Sequence, residues 1–84
     1  MRVEQINEPV KVRADFQGGQ VRPLRFKRHG KEHRVKSVNA CWETREGRRK
    51  LHYFSVTIDS GDVCQLYFNN EDLVWCLESI MLDG

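Results

Sequence analysis

Residues 51–84 of this chain contain no lysine and no arginine. All 14 fall in residues 1–50 beside six of the 12 acids, so that half carries a formal +8 and the remainder −6. The net charge of +2 is a small difference between two opposed halves. Long apolar runs are also missing: nothing approaches the roughly 18–20 residues of a membrane-spanning helix. The start, MRVEQINEPV, lacks the apolar core of a secretory leader. A cytoplasmic protein without membrane association is expected. Cysteine is sparse and odd in number, with Cys41, Cys64 and Cys76 at spacings that match no disulfide scaffold. Each has apolar neighbours, which favours small buried hydrophobes.

The 84 residues suffice for one domain, and 39% hydrophobic with 10% aromatic residues is too apolar for a disordered chain of this charge. A chain of this length buries roughly 60–65% of its unfolded surface, so its core must be single and small. A flexible segment is expected over residues 1–8 and a single β-domain over 9–84.

No 12-residue stretch shows a clean helical period. Turn signals recur instead at Gly18-Gly19, His29-Gly30, Glu46-Gly47, Ser60-Gly61 and Asn69-Asn70, between runs rich in Val, Phe, Tyr and Ile. The fold class read from this is all-β: an antiparallel meander of about six strands, forming a strongly curved sheet or small barrel. The strands are placed at 9–16, 20–28, 31–43, 49–59, 62–69 and 73–81, the last with a short helix as its alternative.

Register tests the turns, because opposed positions in a hairpin have a constant sum and side chains alternate faces. A two-residue loop at His29-Gly30 opposes Phe26 with His33 and Lys27 with Glu32. Three-residue loops at Arg45-Glu46-Gly47 and Asp59-Ser60-Gly61 oppose Val38 with Phe54, Val56 with Cys64 and Phe54 with Leu66. A four-residue loop from Asn69 to Asp72 opposes Phe68 with Leu73 and Leu66 with Trp75. Parity flips between Val35 and Val38, which predicts a bulge near Ser37. Pro23 marks an edge or a kink. The expected core is Val12, Leu24, Phe26, Val35, Val38, Ala40, Trp42, Phe54, Val56, Ile58, Cys64, Leu66, Phe68, Leu73, Trp75 and Leu77.

The pattern Pro23-x-x-Phe26-x-x-x-Gly30-Lys31-x-His33-x-Val35-x-x-Val38-x-x-x-Trp42, with the later Trp75-Cys76-Leu77-Glu78-Ser79-Ile80, resembles a family of small uncharacterised bacterial β-domains. The similarity spans roughly residues 21–80. Such domains occur alone or fused behind polymerase-like proteins of DNA damage tolerance. The resemblance implies a β-domain, a repair-related protein as a partner, and no catalytic residue. Where family members place an aromatic before the turn glycine, this chain has Lys27, Arg28 and His29.

Chemistry-bearing motifs are scarce. No C-x₂-C pair or H-x₃₋₅-H pair with partner cysteines is present, so no metal or cofactor is expected. The alternative, convergence of His33, His52 and a cysteine at one end of the sheet, competes with His33 packing on Phe26 and His52 near Phe68. Cys41 near Lys50 or His52 lacks a third orienting group. Gly18-Gly19 is followed by no Lys-Ser/Thr and helix, so it is not a phosphate loop. The carboxylate pairs Glu71-Asp72 and Asp59 with Asp62 sit in turns. No enzyme activity is expected.

The remaining signal is surface charge. Arg25, Lys27, Arg28, Lys31, Arg34 and Lys36 cluster in one hairpin, with Arg48 and Arg49 at the next turn. Cations at this density can neutralise phosphates and release counterions, which makes them candidate nucleic-acid contacts. Long cations also blunt an exposed strand edge, and they suit an acidic protein partner. A second outward surface, with Tyr53, Tyr67, Val74 and Ile80, is a candidate protein-contact or homodimer patch.

Overall fold

The computed structural model describes residues 2–82. Six strands follow one another: β1 (Arg2–Gln17), β2 (Gln20–Arg28), β3 (Lys31–Glu46), β4 (Arg49–Ile58), β5 (Val63–Asn69) and β6 (Val74–Leu82). Each pairs antiparallel with the next, and β6 returns to β1, so the meander closes into a ring. The C-terminal segment is strand, and no helix occurs among the described residues. The segment expected to be flexible belongs instead to β1 from Arg2 onward, where it pairs with β6; Met1 lies outside the described residues.

Closure depends on two long strands that each serve two neighbours. β1 pairs with β6 as far as Val10 and with β2 from Lys11. β3 pairs with β2 only over Lys31–Arg34, then with β4 from Val35 onward. At the handover the Arg34 carbonyl accepts from the Asp59 N–H at 2.9 Å. Bulges allow these strands to bend. One lies in β1 between Gln5 and Glu8, where Asn7 takes φ 52°. β2 has one as well, where Leu24 is the extra residue between the pairs Arg13–Arg25 and Ala14–Pro23. Pro23 is fully buried, and its lack of an N–H costs nothing on a flank where β2 meets no strand among the described residues.

The core forms where alternation is cleanest. Val56, Cys64, Leu66 and Leu77 are completely buried, with Phe26, Phe54, Ile58, Phe68 and Trp75 around them. The Phe54 and Phe68 rings lie 5.5 and 5.1 Å from that of Trp75. Full burial of each such side chain stabilises by about 1.5–3 kcal/mol.

Several turns match the expected register. Phe26 opposes His33, Lys27 opposes Glu32, Val56 opposes Cys64 and Phe54 opposes Leu66. His29 and Gly30 take φ 51° and 75°, as a type I′ turn requires.

Others differ for identifiable reasons. The β3–β4 turn has two residues, Gly47-Arg48, with Gly47 at φ 61°, so Cys41 rather than Val38 opposes Phe54. β3 carries the expected bulge between Val35 and Ser37 and a second between Val38 and Ala40. The second flips parity again, so Ala40 and Trp42, expected in the core, are exposed, Trp42 by 40%. Leu73 is also outside the core: it ends the β5–β6 loop at φ 57° and is 72% exposed. Phe68 therefore opposes Trp75, Leu66 opposes Leu77, and Tyr67 opposes Cys76 rather than Val74. A bulge that leaves Glu78 unpaired turns Ile80 inward against the core, away from the outer patch where it was expected.

Candidate functional site

The sheet brings cations from three strands into register. Val12, Ala14, Phe26 and Val35 pack inward, so by alternation their neighbours Lys11, Arg13, Arg25, Lys27 and Arg34 point outward. Arg13 is paired with Arg25 and Arg25 with Arg34, making one row of three arginines across β1, β2 and β3. The next row is Lys11, Lys27 and Glu32. Between them lies a cleft of about 370 Å³ lined by Lys11, Arg13, Arg25, Lys27 and Glu32 over Val12 and Phe26.

Like charges directly opposite on neighbouring strands are unfavourable by up to about 1 kcal/mol per pair. Glu32, the one acid in the two rows, accepts from the Arg25 guanidinium at 3.2 Å, but both groups are solvated and the pair is weak. Lys11, Arg13, Lys27 and Arg34 make no salt bridge among the described residues.

The remaining basic candidates divide. Lys36 is exposed at the first β3 bulge beside this face, whereas Lys31, exposed next to the β2–β3 turn, lies opposite Arg28 and by alternation shares the side of His33. Arg28 is committed within the molecule: its Nε donates to Glu8 Oε1 at 3.1 Å, and His29 Nε2 lies 3.5 Å from the other carboxylate oxygen. The Arg28 hydrogen bond holds the Glu8 carboxyl below the usual carboxylate range. Arg48 and Arg49 sit at the far end of β3, where Arg49 meets Asp72 at 3.4 Å. They are not part of the row.

Lys11 and Arg13 join the face although sequence reasoning did not single them out. A two-residue Gly18-Gly19 turn pairs Gln17 with Gln20, and extended without interruption that register sets Lys11 against Phe26. The bulge at Leu24, next to Pro23 in β2, shifts the register by one residue and makes the arginine row. Pro23 was the available signal.

A second surface lies on the outer side of β3, β4 and β5. Trp42 opposes Tyr53 and Tyr53 opposes Tyr67. The Trp42 and Tyr53 rings stack at 5.4 Å and 4°, and the two tyrosine rings follow at 5.2 Å. Val74 is exposed at its margin. Burial and the Glu78 carboxylate raise the Tyr53 hydroxyl pKa, and the hydrogen bond between Tyr67 and Cys76 pushes Tyr67 up to about 12.

His33 packs on Phe26 with ring centroids 5.1 Å apart, and His52 lies 6.2 Å from Phe68. Among the described residues no three His, Cys, Asp or Glu side chains converge as a metal site. Cys64 is buried and its thiol pushed up to about 12, chiefly by desolvation, so it is not a nucleophile at neutral pH. Cys41 is exposed opposite Phe54, with no cation in register. Comparison with family models, curated proteins and solved structures finds no match for this chain.

Proposed function

We propose that this chain is a small non-enzymatic binding module that engages nucleic acid through the outer face of β1, β2 and β3. The observation that carries this reading is the row Arg13–Arg25–Arg34, backed by Lys11 and Lys27. Opposed arginines do not help the sheet fold, and uncharged polar residues would serve its exposed face better. A polyanion removes that repulsion, because each phosphate bridges neighbouring guanidiniums and releases counterions. Contacts of this kind give affinity with little sequence selectivity. The resemblance to small β-domains that occur alone or fused behind polymerase-like proteins of DNA damage tolerance accords with it, and we place the chain in the cytoplasm.

The test is a titration of the full chain with labelled DNA and RNA at several salt concentrations. With four or five phosphates engaged, log affinity falls against log salt with a slope of about −3 to −5. Arg13→Glu combined with Arg34→Glu lowers affinity at least tenfold, while Arg48→Glu has a much smaller effect. Absence of binding at low salt sinks the proposal. The alternative, a protein-interaction or homodimerisation module, rests on the Trp42, Tyr53 and Tyr67 surface with Val74. It expects a mass that rises with concentration in sedimentation.

A further inference from the structure

β3 has an open flank. Its ladder with β2 ends at Arg25 opposite Arg34, so from Ser37 to Glu46 its outer edge meets no strand among the described residues. Trp42 stands on this stretch and is 40% exposed, whereas Trp75 is 8% exposed in the core. One face of the Trp42 indole is covered by the parallel Tyr53 ring from β4. The opposite face is therefore turned away from β4, toward the open flank. Beside it, between the β1–β2 turn and the β3–β4 ribbon, is a cavity of about 390 Å³ lined by Gln20, Val21, Cys41, Trp42, Glu43 and His52. The indole supplies one free aromatic face, while the Glu43 carboxylate is engaged within the molecule by Lys50 Nζ and His52 Nδ1, each at 3.5 Å. The same strand leads back through Lys36 to Arg34, on the order of 25 Å away along an extended chain.

We infer that Trp42 is the stacking platform for an unpaired base, and that the polyanion held by the arginine row is therefore single-stranded. This rests on the nucleic-acid reading of the basic face and names its substrate class. A base in a duplex has both faces covered by its neighbours and cannot reach an indole ring without leaving the stack. A single strand offers its base faces freely, and any base will stack, which suits a face without sequence-reading contacts. Arg34 and Lys36, on the same strand, hold the backbone leading to the stacked base.

The experiment is a fluorescence and anisotropy titration of the full chain with oligothymidylate and with a duplex of equal length at low salt. The chains compared are the native one, Trp42→Ala, Trp42→Phe and the Arg13→Glu/Arg34→Glu pair, with thermal melts as a check on folding. The single strand should quench the exposed indole and bind at least tenfold more tightly than the duplex. Trp42→Ala should weaken single-strand binding about 5- to 100-fold, leave duplex binding unchanged, and be largely rescued by Trp42→Phe. If Trp42→Ala leaves single-strand affinity intact, or weakens duplex binding equally, the inference fails. The nucleic-acid reading survives that result provided the arginine pair still weakens binding. No binding of either form overturns both. Quenching that follows protein concentration without nucleic acid, with a doubled mass abolished by Trp42→Ala, assigns the flank to a second copy and overturns the inference.

Discussion

At the scale of single residues, the three cysteines illustrate how burial sets chemistry. Cys64 is completely buried between Val56 and Ile80 on the neighbouring strands, Cys76 is half-buried against Tyr67, and Cys41 is exposed. At pH 8 an alkylating reagent followed by mass spectrometry should modify Cys41 rapidly, and Cys64 only through unfolding. The Cys64 thiol also couples folding to pH. Its folded pKa is raised from 9.0 to about 12, so the stability it contributes is fully present below pH 9 and is lost as pH rises toward 12. The urea midpoint should fall over that window, and less steeply in Cys64→Ala. Leu73 is the converse case, an apolar residue held at φ 57° and 72% exposed. A left-handed backbone costs a branched residue about 1–2 kcal/mol, and little apolar burial offsets it. Leu73→Asn should stabilise the domain by about 0.5–1 kcal/mol in denaturant titration, since asparagine tolerates that conformation.

At the scale of elements, the legible parts of the fold were those where turn chemistry and alternation act locally. The strand count, the His29-Gly30 hairpin and the pairing of β4 with β5 follow from positions a few residues apart. Bulges broke the rest. One extra residue in β3 moved Trp42 from the core to the surface, and one in β6 moved Ile80 the other way. A bulge has no compositional signature of its own, because it answers the need of a long strand to bend from one neighbour to the next. The candidate site suffered the same way. Arg25, Lys27 and Arg34 were visible as a cluster, but Arg13 and Lys11 enter through the bulge at Leu24, next to Pro23.

At the scale of the whole molecule, a core cluster of nine buried residues, counted among the described residues, holds a ring of six strands together. Leu66 is completely buried within it, so Leu66→Ala should cost about 2–5 kcal/mol in equilibrium unfolding. A domain of this size has about 4–13 kcal/mol in all, so the variant should be substantially unfolded by mild heating. The charge asymmetry also acquires a place at this scale. Lys11, Arg13, Arg25, Lys27 and Arg34 share an outward face, while Glu46, Glu78 and Asp72 lie with the tyrosines or in the β5–β6 loop. A diffusing anion is therefore oriented before it makes contact.

By itself the chain's sequence determined the all-β class, the six-strand meander, most of the core and the segregation of every lysine and arginine into residues 1–50. Those properties follow from side-chain periodicity, turn residues and charge counts, which act over a few positions. Only the tertiary structure decided that the ring closes, that arginines from three strands stand in one row, and that Trp42 lies outside with one ring face uncovered. Each of these depends on how long strands bend and change partners, and that bending is set by the packing of the whole core rather than by neighbours along the chain.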